Sequence, residues 1–327
     1  MHTTTLAEVA AILRETSRIL VFSHVAPDGD AIGSLLGFGW LLQAPGRRIT
    51  LVSADGVPDE YEFLPGSSHV QTDAPAGPWD AVVTLDASDP RRLGSPFRPE
   101  VYGNTPIIVM DHHVTNTRFG TLNYVDAAAA ATAQILVDLA DVLPVSISFE
   151  AAICLLTGLA TDTLGFRTSN VTPQVMETAA RLMETGANLS EIVSRTLTAR
   201  PLSAMRLWGH ALANLQHDGR VVWVAVSNEM RAQAGATADG ESGLVSFLVG
   251  APEVDIAAVF SETVEGTVEI GFRARPGFDV SRLALTLGGG GHPQASGCTV
   301  DGPLDAAQAR VVPMLVALAT GGPARNG

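Results

Sequence analysis

An imidazole and two carboxylates lie within seven residues near the start of the chain, in the stretch His24-Val25-Ala26-Pro27-Asp28-Gly29-Asp30. Two carboxylates this close repel each other unless a cation or a proton lies between them, which favours a metal site. We expect Gly29 to let the backbone bend so that both aspartates point into one crevice. The alternative is an Asx-turn followed by a helix cap, which would use Asp30 and Asp28 but would leave His24 without a role.

Side chains of the same kinds recur at Asp86, at Asp111-His112-His113 and at Asp162. Together with the first stretch they offer carboxylate and imidazole donors without a thiolate, a mixture that suits Mn²⁺, Mg²⁺, Fe²⁺ or Co²⁺ better than a structural zinc site. The set contains more donors than one ion needs: His24, Asp28, Asp30, Asp86, His112 and Asp162. Two ions about 3.5–4 Å apart, bridged by a shared carboxylate and a hydroxide that attacks phosphorus, commonly hydrolyse phosphate esters. The pattern therefore predicts two-metal hydrolysis of a phosphate ester.

Short apolar runs that suit buried strands stand directly before these groups. We expect strands at 18–23, 49–52, 79–86 and 106–111, alternating with helices at 6–16, 31–42, 126–141 and 149–161. Asp30 is the predicted N-cap of the helix at 31–42. Strands that alternate with helices predict an α/β, doubly wound, mainly parallel sheet whose strands end at one edge. Three strand ends carrying acid or imidazole groups at one edge are hard to explain by packing alone.

The second half of the chain shows a separate series of elements. Helices are predicted at 173–186 and 189–215, followed by strands at 220–226, 254–261 and 267–274, a helix at 279–287, a Gly-rich loop at 288–291 and a helix at 304–319. A length of 327 residues favours two domains. We expect a catalytic metal-binding domain at 1–189, a connector helix or linker at 190–217, a smaller α/β domain at 218–320 and a disordered tail at 321–327. The active site is expected in the cleft between the two domains.

Composition excludes several classes of protein. A formal charge of −14 argues against a protein that tracks long duplex nucleic acid. All 20 basic residues are Arg, so a side-chain cation at a phosphate must be Arg or His. No apolar run reaches the length of a membrane span, and the N-terminal residues do not resemble a secretion signal. With two widely separated cysteines in apolar or Gly-rich surroundings, these features predict a cytoplasmic protein that does not associate with membranes.

The Gly-rich loop is a second candidate site. Successive glycines allow backbone N–H groups to converge on an anion, and His292 adds a donor. The alternative is a plain connection between a helix and a strand. Arg273 and Arg275 on the preceding strand favour ligand binding.

Five segments resemble the motifs of the DHH phosphoesterase family with its DHH-associated C-terminal domain: residues 24–34, Asp86, residues 111–113, residues 161–163, and residues 288–297 with four successive glycines, His292 and Ser296. The resemblance covers nearly the whole chain. Within the family, the two-domain arrangement is most similar to the oligoribonuclease and phosphoadenosine-phosphate phosphatase (nanoRNase) type. The chain departs from the family pattern at Leu164, where glycine is frequent, and at Ser296, where alanine is usual.

The resemblance implies roles for individual residues. One metal would be held by His24, Asp28 and Asp86, and a second by Asp30, Asp86, His112 and Asp162. The ions would be Mn²⁺, with Mg²⁺ and Co²⁺ as alternatives. The catalytic group would comprise Asp86, His112, His113 and Asp111, with Asp111 orienting an imidazole and His113 near the substrate phosphate. Substrate-binding residues would be His113, Asn116, Arg273, Gly289, Gly290, Gly291 and His292, and Arg118 would line the site.

The resemblance also implies a function. A nucleic-acid-binding hydrolase of this type would act as an exonuclease on short oligoribonucleotides and linear dinucleotides such as pApA. The products would be mononucleotides, and phosphoadenosine phosphate is a further substrate. Cleavage of pApA would link it to cyclic dinucleotide turnover, and we expect a homodimer. The alternatives are an exopolyphosphatase or pyrophosphatase, a RecJ-like single-strand exonuclease, and a non-catalytic nucleotide-binding regulatory module.

Overall fold

The computed structural model describes residues 4–143 and 145–321. It separates into two compact units, Met1–Ala199 and Arg200–Gly327, each with its own sheet and hydrophobic core. Of the predicted disordered tail at 321–327, residues 322–327 lie outside the described residues. Among the residues described, no helix is both long and apolar enough to cross a lipid bilayer.

The first unit contains the predicted parallel sheet. Its strands are β1 Arg18–Phe22, β2 Arg48–Val52, β3 Ala81–Leu85, β4 Ile107–Asp111 and β5 Leu122–Val125. They lie in the order β2-β1-β3-β4-β5, and every neighbouring pair is parallel. The edge strand β5 was not predicted, because its four half-buried residues lack the apolar run that marks the central strands. The α/β class is confirmed, and the carboxyl ends of β1, β3 and β4 meet at one edge.

Helices cover one face of this sheet. They are α1 Leu6–Glu15, α2 Gly29–Leu41, α3 Thr132–Val142, α4 Phe149–Asp162, α5 Pro173–Glu184 and α6 Leu189–Val193. The main core lies between the sheet and these helices. A second cluster, which contains Leu93, Phe97 and Tyr102 from the loops after β3, packs on the other face.

Glycines bring α2 and α4 into close contact. A Cβ atom at Gly33 would lie 2.4 Å from the carbonyl oxygen of Cys154, and one at Gly29 would lie 2.3 Å from Oγ1 of Thr161. The φ angle of Gly29 is not in the left-handed region. Its expected role as a flexible bend is therefore wrong: Gly29 begins α2, and its missing side chain makes room for α4.

Two predicted helices differ from the structure. The helix predicted at 126–141 begins only at Thr132. The helix predicted at 189–215 is interrupted: α6 is followed by one π-helical turn at Ser194–Thr198, and α7 begins at Leu202 and ends at Ala213. Pro201 explains this break, because a proline disfavours helical backbone in the residue before it.

The second unit contains a mixed sheet. Its strands are β6 Gln216–Asp218, β7 Val221–Val226, β8 Ile256–Glu262, β9 Thr267–Ala274, β10 Gly290–His292 and β11 Ala295–Asp301, in the order β10-β11-β9-β8-β7-β6. The pair β7–β8 is parallel and the other pairs are antiparallel. One face packs on α7, α8 Asn228–Ala234 and α9 Leu244–Val249, and the other on α10 Ser281–Thr286 and α11 Leu304–Thr320.

The Gly-rich stretch, predicted as a loop at 288–291, is partly a strand. Residues Gly290–His292 form β10, which pairs with the start of β11 in a tight hairpin. A Cβ atom at Gly289 would lie 2.1 Å from the carbonyl oxygen of Gly297. These glycines therefore permit the close approach of two backbone segments, a requirement that a sequence pattern alone does not reveal.

Candidate metal centre

The carboxyl edge of the first sheet brings the predicted ligands together. The stretch around His24 follows β1, Asp86 follows β3, the pair His112-His113 follows β4, and Asp162 ends α4. Ligand-type atoms within 4.8 Å of one another form three groups among the described residues: His24, Asp28 and Asp86; Asp30, His112 and Asp162; and Asp86, His112 and His113.

Asp86 is common to two of these groups. Its Oδ2 lies 3.6 Å from Nε2 of His24, whereas its Oδ1 lies 3.5 Å from Nε2 of His112. The two oxygens of one carboxylate therefore face imidazoles that approach from different strands. This arrangement suits a carboxylate shared by two cations.

The backbone of Asp86 is strained. Its φ angle is +57°, in the left-handed region that a residue with a side chain rarely adopts. The side chain is 2% exposed, and the backbone N–H donates to the carbonyl oxygen of Met110 at 3.1 Å. Strain of this kind persists where the surroundings fix the chain, and it is frequent at functional sites.

The two aspartates of the first stretch have different roles. Asp28, not the predicted Asp30, is the N-cap of α2: its Oδ1 accepts from the N–H groups of Asp30 and Ala31 at 3.1 and 3.0 Å. This leaves Oδ2 of Asp28 available to a ligand, and its side chain is 59% exposed.

Asp30 lies in the first turn of α2 and is 1% exposed. Its Oδ1 accepts from Oγ of Ser34 and from the N–H of Ala133, both at 3.0 Å, and its Oδ2 accepts from the N–H of Thr132 at 2.6 Å. Because a carboxylate has about four acceptor sites, Asp30 retains one, on Oδ2. It is therefore suited to bind a cation through a single oxygen.

Hydrogen bonds fix the rings of His24 and His113. Nδ1 of His24 donates to the carbonyl oxygen of Val25 at 2.8 Å, which turns Nε2 toward the carboxylates. Nδ1 of His113 donates to Oδ1 of Asp111 at 2.7 Å. The other oxygen of Asp111 accepts from Nδ2 of Asn116 at 2.6 Å. Asp111 is fully buried. It orients the ring of His113, and its own position is fixed by the hydrogen bond from Asn116.

Negative charge dominates the site. Burial raises the pKa of Asp162 to about 6, and the charges of Asp86 and Asp28 act in the same direction. Burial and the neighbouring carboxylates also raise the pKa of Asp30 well above its ordinary value. Burial lowers the pKa of His24, but its ion pairs with Asp28 at 3.8 Å and Asp86 at 3.6 Å outweigh this and raise the pKa to about 10. The cluster therefore stabilises positive charge at its centre.

Asn116 and Arg118 were predicted to line the site. Nδ2 of Asn116 donates to Asp111 and to the carbonyl oxygen of Ala87, and its Oδ1 accepts from the N–H of Arg118 at 2.6 Å. Asn116 thus supports Asp111 structurally, and its contact with substrate stays a prediction. The backbone of Arg118 is left-handed, with φ +54°.

Arg92 is a candidate that sequence analysis missed. The N–H of Val25 donates to its carbonyl oxygen at 2.6 Å, so the loop after β3 lies against the stretch around His24. The hydrogen bond to Asp111 raises the pKa of His113, and the positive charge of Arg92 opposes that increase. Among the described residues, no carboxylate forms an ion pair with Arg92. The sequence did offer a signal for Arg92: it follows Asp86 by six residues, and in a chain without Lys a side-chain cation near a phosphate must be Arg or His.

Thr132 was also missed. It is fully buried, and its Oγ1 donates to Oδ1 of Asp86 at 3.1 Å. A possible signal was the run of alanines at 127–131, which offers no capping side chain for the helix that follows.

The remaining predicted residues belong to the second unit. The side chain of His292 is exposed, and its carbonyl oxygen accepts from Oγ of Ser296 at 2.6 Å. Arg273 is half-buried on β9, next to the hairpin that contains Gly289, Gly290 and Gly291. Arg275 donates instead to the carbonyl oxygens of Val254 and Ala251, which gives it a structural role. Ligand binding by His292, Arg273 and the glycines stays a prediction.

Comparisons with known proteins agree with this organisation. The model of the DHH family N-terminal domain matches residues 18–159, and that of the DHHA1 domain matches residues 216–312. The bifunctional oligoribonuclease and PAP phosphatase NrnA of Thermus thermophilus is 38% identical over 93% of this chain and 91% of its own. The protein of the same name from Bacillus subtilis is 25% identical over 86% and 89% of the two chains. A crystal structure of an exopolyphosphatase-related protein from Bacteroides fragilis superposes with a TM-score of 0.86 over 95% of both chains at 23% identity, which shows a shared fold.

Proposed function

The chain belongs to the DHH family of metal-dependent phosphoesterases, and we propose that it hydrolyses short oligoribonucleotides and linear dinucleotides such as pApA to mononucleotides. Phosphoadenosine phosphate is proposed as a further substrate. The observation that carries phosphate-ester hydrolysis is the carboxylate of Asp86, whose two oxygens face separate groups of ligands. The substrate class is supported by the names of relatives that cover most of the chain.

The donor set fits two divalent ions. We propose that His24, Asp28 and Asp86 hold one ion and that Asp30, Asp86, His112 and Asp162 hold the other. The donors are oxygens and imidazole nitrogens, and no thiolate lies among them, which favours Mn²⁺ over a structural zinc ion. When bound, such a pair of ions supplies neutralisation of charge on the phosphoryl group and activation of water at neutral pH.

The chain itself positions the substrate. We propose that His113, whose side chain is 34% exposed and whose Nδ1 is fixed by Asp111, uses Nε2 to donate to a phosphoryl oxygen. Arg92 adds a positive charge that acts on His113. In the second unit, His292, Arg273 and the glycine hairpin are proposed to hold the terminal phosphate or the base.

The domain roles expected from the sequence complete the proposal: catalysis by residues 1–189, substrate binding by 218–320 and a linker between them. A role in cyclic dinucleotide turnover would follow from cleavage of pApA. Two buried cysteines without a disulfide support a reducing, cytoplasmic location. The homodimer expected from the family resemblance is also part of the proposal.

The test is incubation of the purified protein with Mn²⁺ and pApA, followed by chromatography of the products. We expect AMP to form, and chelation to stop its formation without unfolding the protein, because the ligands lie on the edge of a packed sheet. Polyphosphate, pyrophosphate and long single-stranded DNA serve as comparison substrates. Rapid release of phosphate from polyphosphate with pApA left intact would overturn the substrate assignment in favour of an exopolyphosphatase.

A further inference from the structure

One hydroxyl group touches the carboxylate that the proposed centre shares. Thr132 is the first residue of α3, and its side chain is fully buried. Its Oγ1 donates to Oδ1 of Asp86 at 3.1 Å. Asp86 and Thr132 are 46 residues apart in sequence, so this contact forms only in the folded unit.

The contact selects one orientation of the carboxylate. The terminal torsion of an aspartate is broad and roughly two-fold, so backbone position alone does not fix the plane of its oxygens. Oδ1 of Asp86 faces His112 at 3.5 Å and His113 at 3.6 Å, whereas Oδ2 faces His24 at 3.6 Å. A donor on Oδ1 fixes the plane in which each oxygen faces its own group of ligands.

The same residue also holds a second proposed ligand. The N–H of Thr132 donates to Oδ2 of Asp30 at 2.6 Å, and the next N–H, from Ala133, donates to Oδ1 at 3.0 Å. The N-cap of α3, Ala131, has no side chain that could accept from these groups. Asp30 therefore satisfies N–H groups that α3 would otherwise leave unpaired. The start of α3 thus contacts two carboxylates, that of Asp30 in α2 and that of Asp86 after β3.

We propose that Thr132 is a positioning residue: its hydroxyl orients Asp86 so that the two carboxylate oxygens serve two ions. The inference rests on the two-ion centre proposed above, and it assigns to Thr132 no contact with substrate. Loss of an outer hydrogen-bond partner of a metal ligand commonly lowers metal affinity or activity by about 10- to 100-fold.

Three variants isolate the hydroxyl. Thr132→Val keeps the β-branched shape and the backbone N–H to Asp30 but removes the donor to Asp86. Thr132→Ser retains the donor. The matched control is Thr157→Val, because Thr157 is also fully buried in the first unit and its Oγ1 donates at 2.8 Å to the carbonyl oxygen of Ile153 rather than to a proposed ligand.

The experiment titrates metal-free protein with Mn²⁺, using calorimetry for affinity and electron paramagnetic resonance for coupling between the ions. We expect two ions and an exchange-coupled spectrum for the wild type, Thr132→Ser and Thr157→Val. For Thr132→Val we expect Mn²⁺ affinity to fall roughly 10- to 100-fold and the coupling to weaken. At saturating Mn²⁺, kcat for pApA should fall in Thr132→Val while KM stays unchanged.

Equal Mn²⁺ binding and coupling in Thr132→Val and Thr157→Val would overturn the inference. So would equal losses in Thr132→Val and Thr132→Ser, because the hydroxyl would then not be the cause. A wild type that binds a single ion, or shows no coupling, would overturn the two-ion centre itself. Hydrolysis of pApA by the wild type is measured separately, so failure of the substrate assignment stays distinguishable from failure of the inference.

Discussion

Replacement of Gly33 by alanine should disturb the centre without changing any ligand. Gly33 lies on α2 where the helix crosses α4, and a Cβ atom there would lie 2.4 Å from the carbonyl oxygen of Cys154 and 2.8 Å from the N atom of Gly158. Both are backbone atoms, so no side chain can rotate away. An ordinary contact begins near 3.4 Å, so the two helices must separate by about 1 Å.

The separation affects stability and activity differently. Overpacking costs about 1–3 kcal/mol, whereas alanine in place of glycine within a helix contributes about 1 kcal/mol in the opposite direction. We expect a net loss of up to about 2 kcal/mol, which in a unit of this size lowers Tm by at most roughly 4–8 °C. Asp30 on α2 and Asp162 at the end of α4 would also move apart, and a 1 Å misplacement can lower the rate about 100-fold.

The matched control is Gly39→Ala on the same helix. A Cβ atom at Gly39 would lie 3.1 Å from Cδ1 of Leu51, the mobile end of a side chain, so it should leave kcat/KM unchanged and Tm equal or slightly higher. Thermal unfolding of both variants is compared with kcat/KM for pApA at saturating Mn²⁺. If Gly33→Ala matches Gly39→Ala in both measurements, the close contact of α2 and α4 does not position the ligands and the reasoning fails.

The other predictions concern single side chains. Asp86→Ala should lower turnover of pApA more than about 100-fold, because it removes a ligand shared by both ions rather than a hydrogen-bond partner of a ligand. More than a few per cent of wild-type turnover in saturating Mn²⁺ would contradict this. Arg92→Ala should lower kcat/KM for pApA roughly 10- to 150-fold, which is the value of a hydrogen bond to a charged group. The control Arg91→Ala should leave kcat/KM unchanged, because the guanidinium of Arg91 pairs with Asp89 at 2.8 Å. Equal effects of the two substitutions would exclude a contact between Arg92 and the substrate. His292→Ala should lower kcat/KM for pApA roughly 10- to 150-fold and leave the metal content unchanged. It should lower kcat/KM for bis-p-nitrophenyl phosphate far less. Equal losses on both substrates would argue against a substrate-binding role of His292.

The edge of the sheet could be predicted because buried strands are local features of a sequence. The runs before His24, Asp86 and Asp111 are apolar and short, and each forms a strand of the parallel sheet. Parallel strands end at one edge whatever their order, so the proximity of these polar groups follows without knowledge of side-chain packing.

The roles of the individual aspartates could not be predicted in the same way. Asp28 and Asp30 are two residues apart, and either could cap α2 on local grounds. The choice is made by the N–H groups of Thr132 and Ala133, which lie more than 100 residues further along the chain and hold Asp30. The same contact explains why α3 begins at Thr132, although the alanines before it have a high helix propensity.

The strained backbone of the first unit is concentrated around the candidate centre. Among the described residues, those other than glycine with a left-handed backbone are Ala26, Asp86, Arg118, Leu164 and Phe166. All lie in loops that follow β1, β3, β4 or α4. The family resemblance led us to expect glycine at Leu164, and the φ of +49° there is one that glycine adopts without strain.

Each such residue destabilises the fold by roughly 1–2 kcal/mol, so contacts within the protein must hold the loops. The N–H of Ala26 donates to Oδ2 of Asp55 at 2.6 Å, and the N–H of Asp86 donates to the carbonyl oxygen of Met110 at 3.1 Å. These contacts do not involve a metal ion. Contacts within the chain therefore hold these loops, and we expect chelation to remove activity and leave the sheet folded.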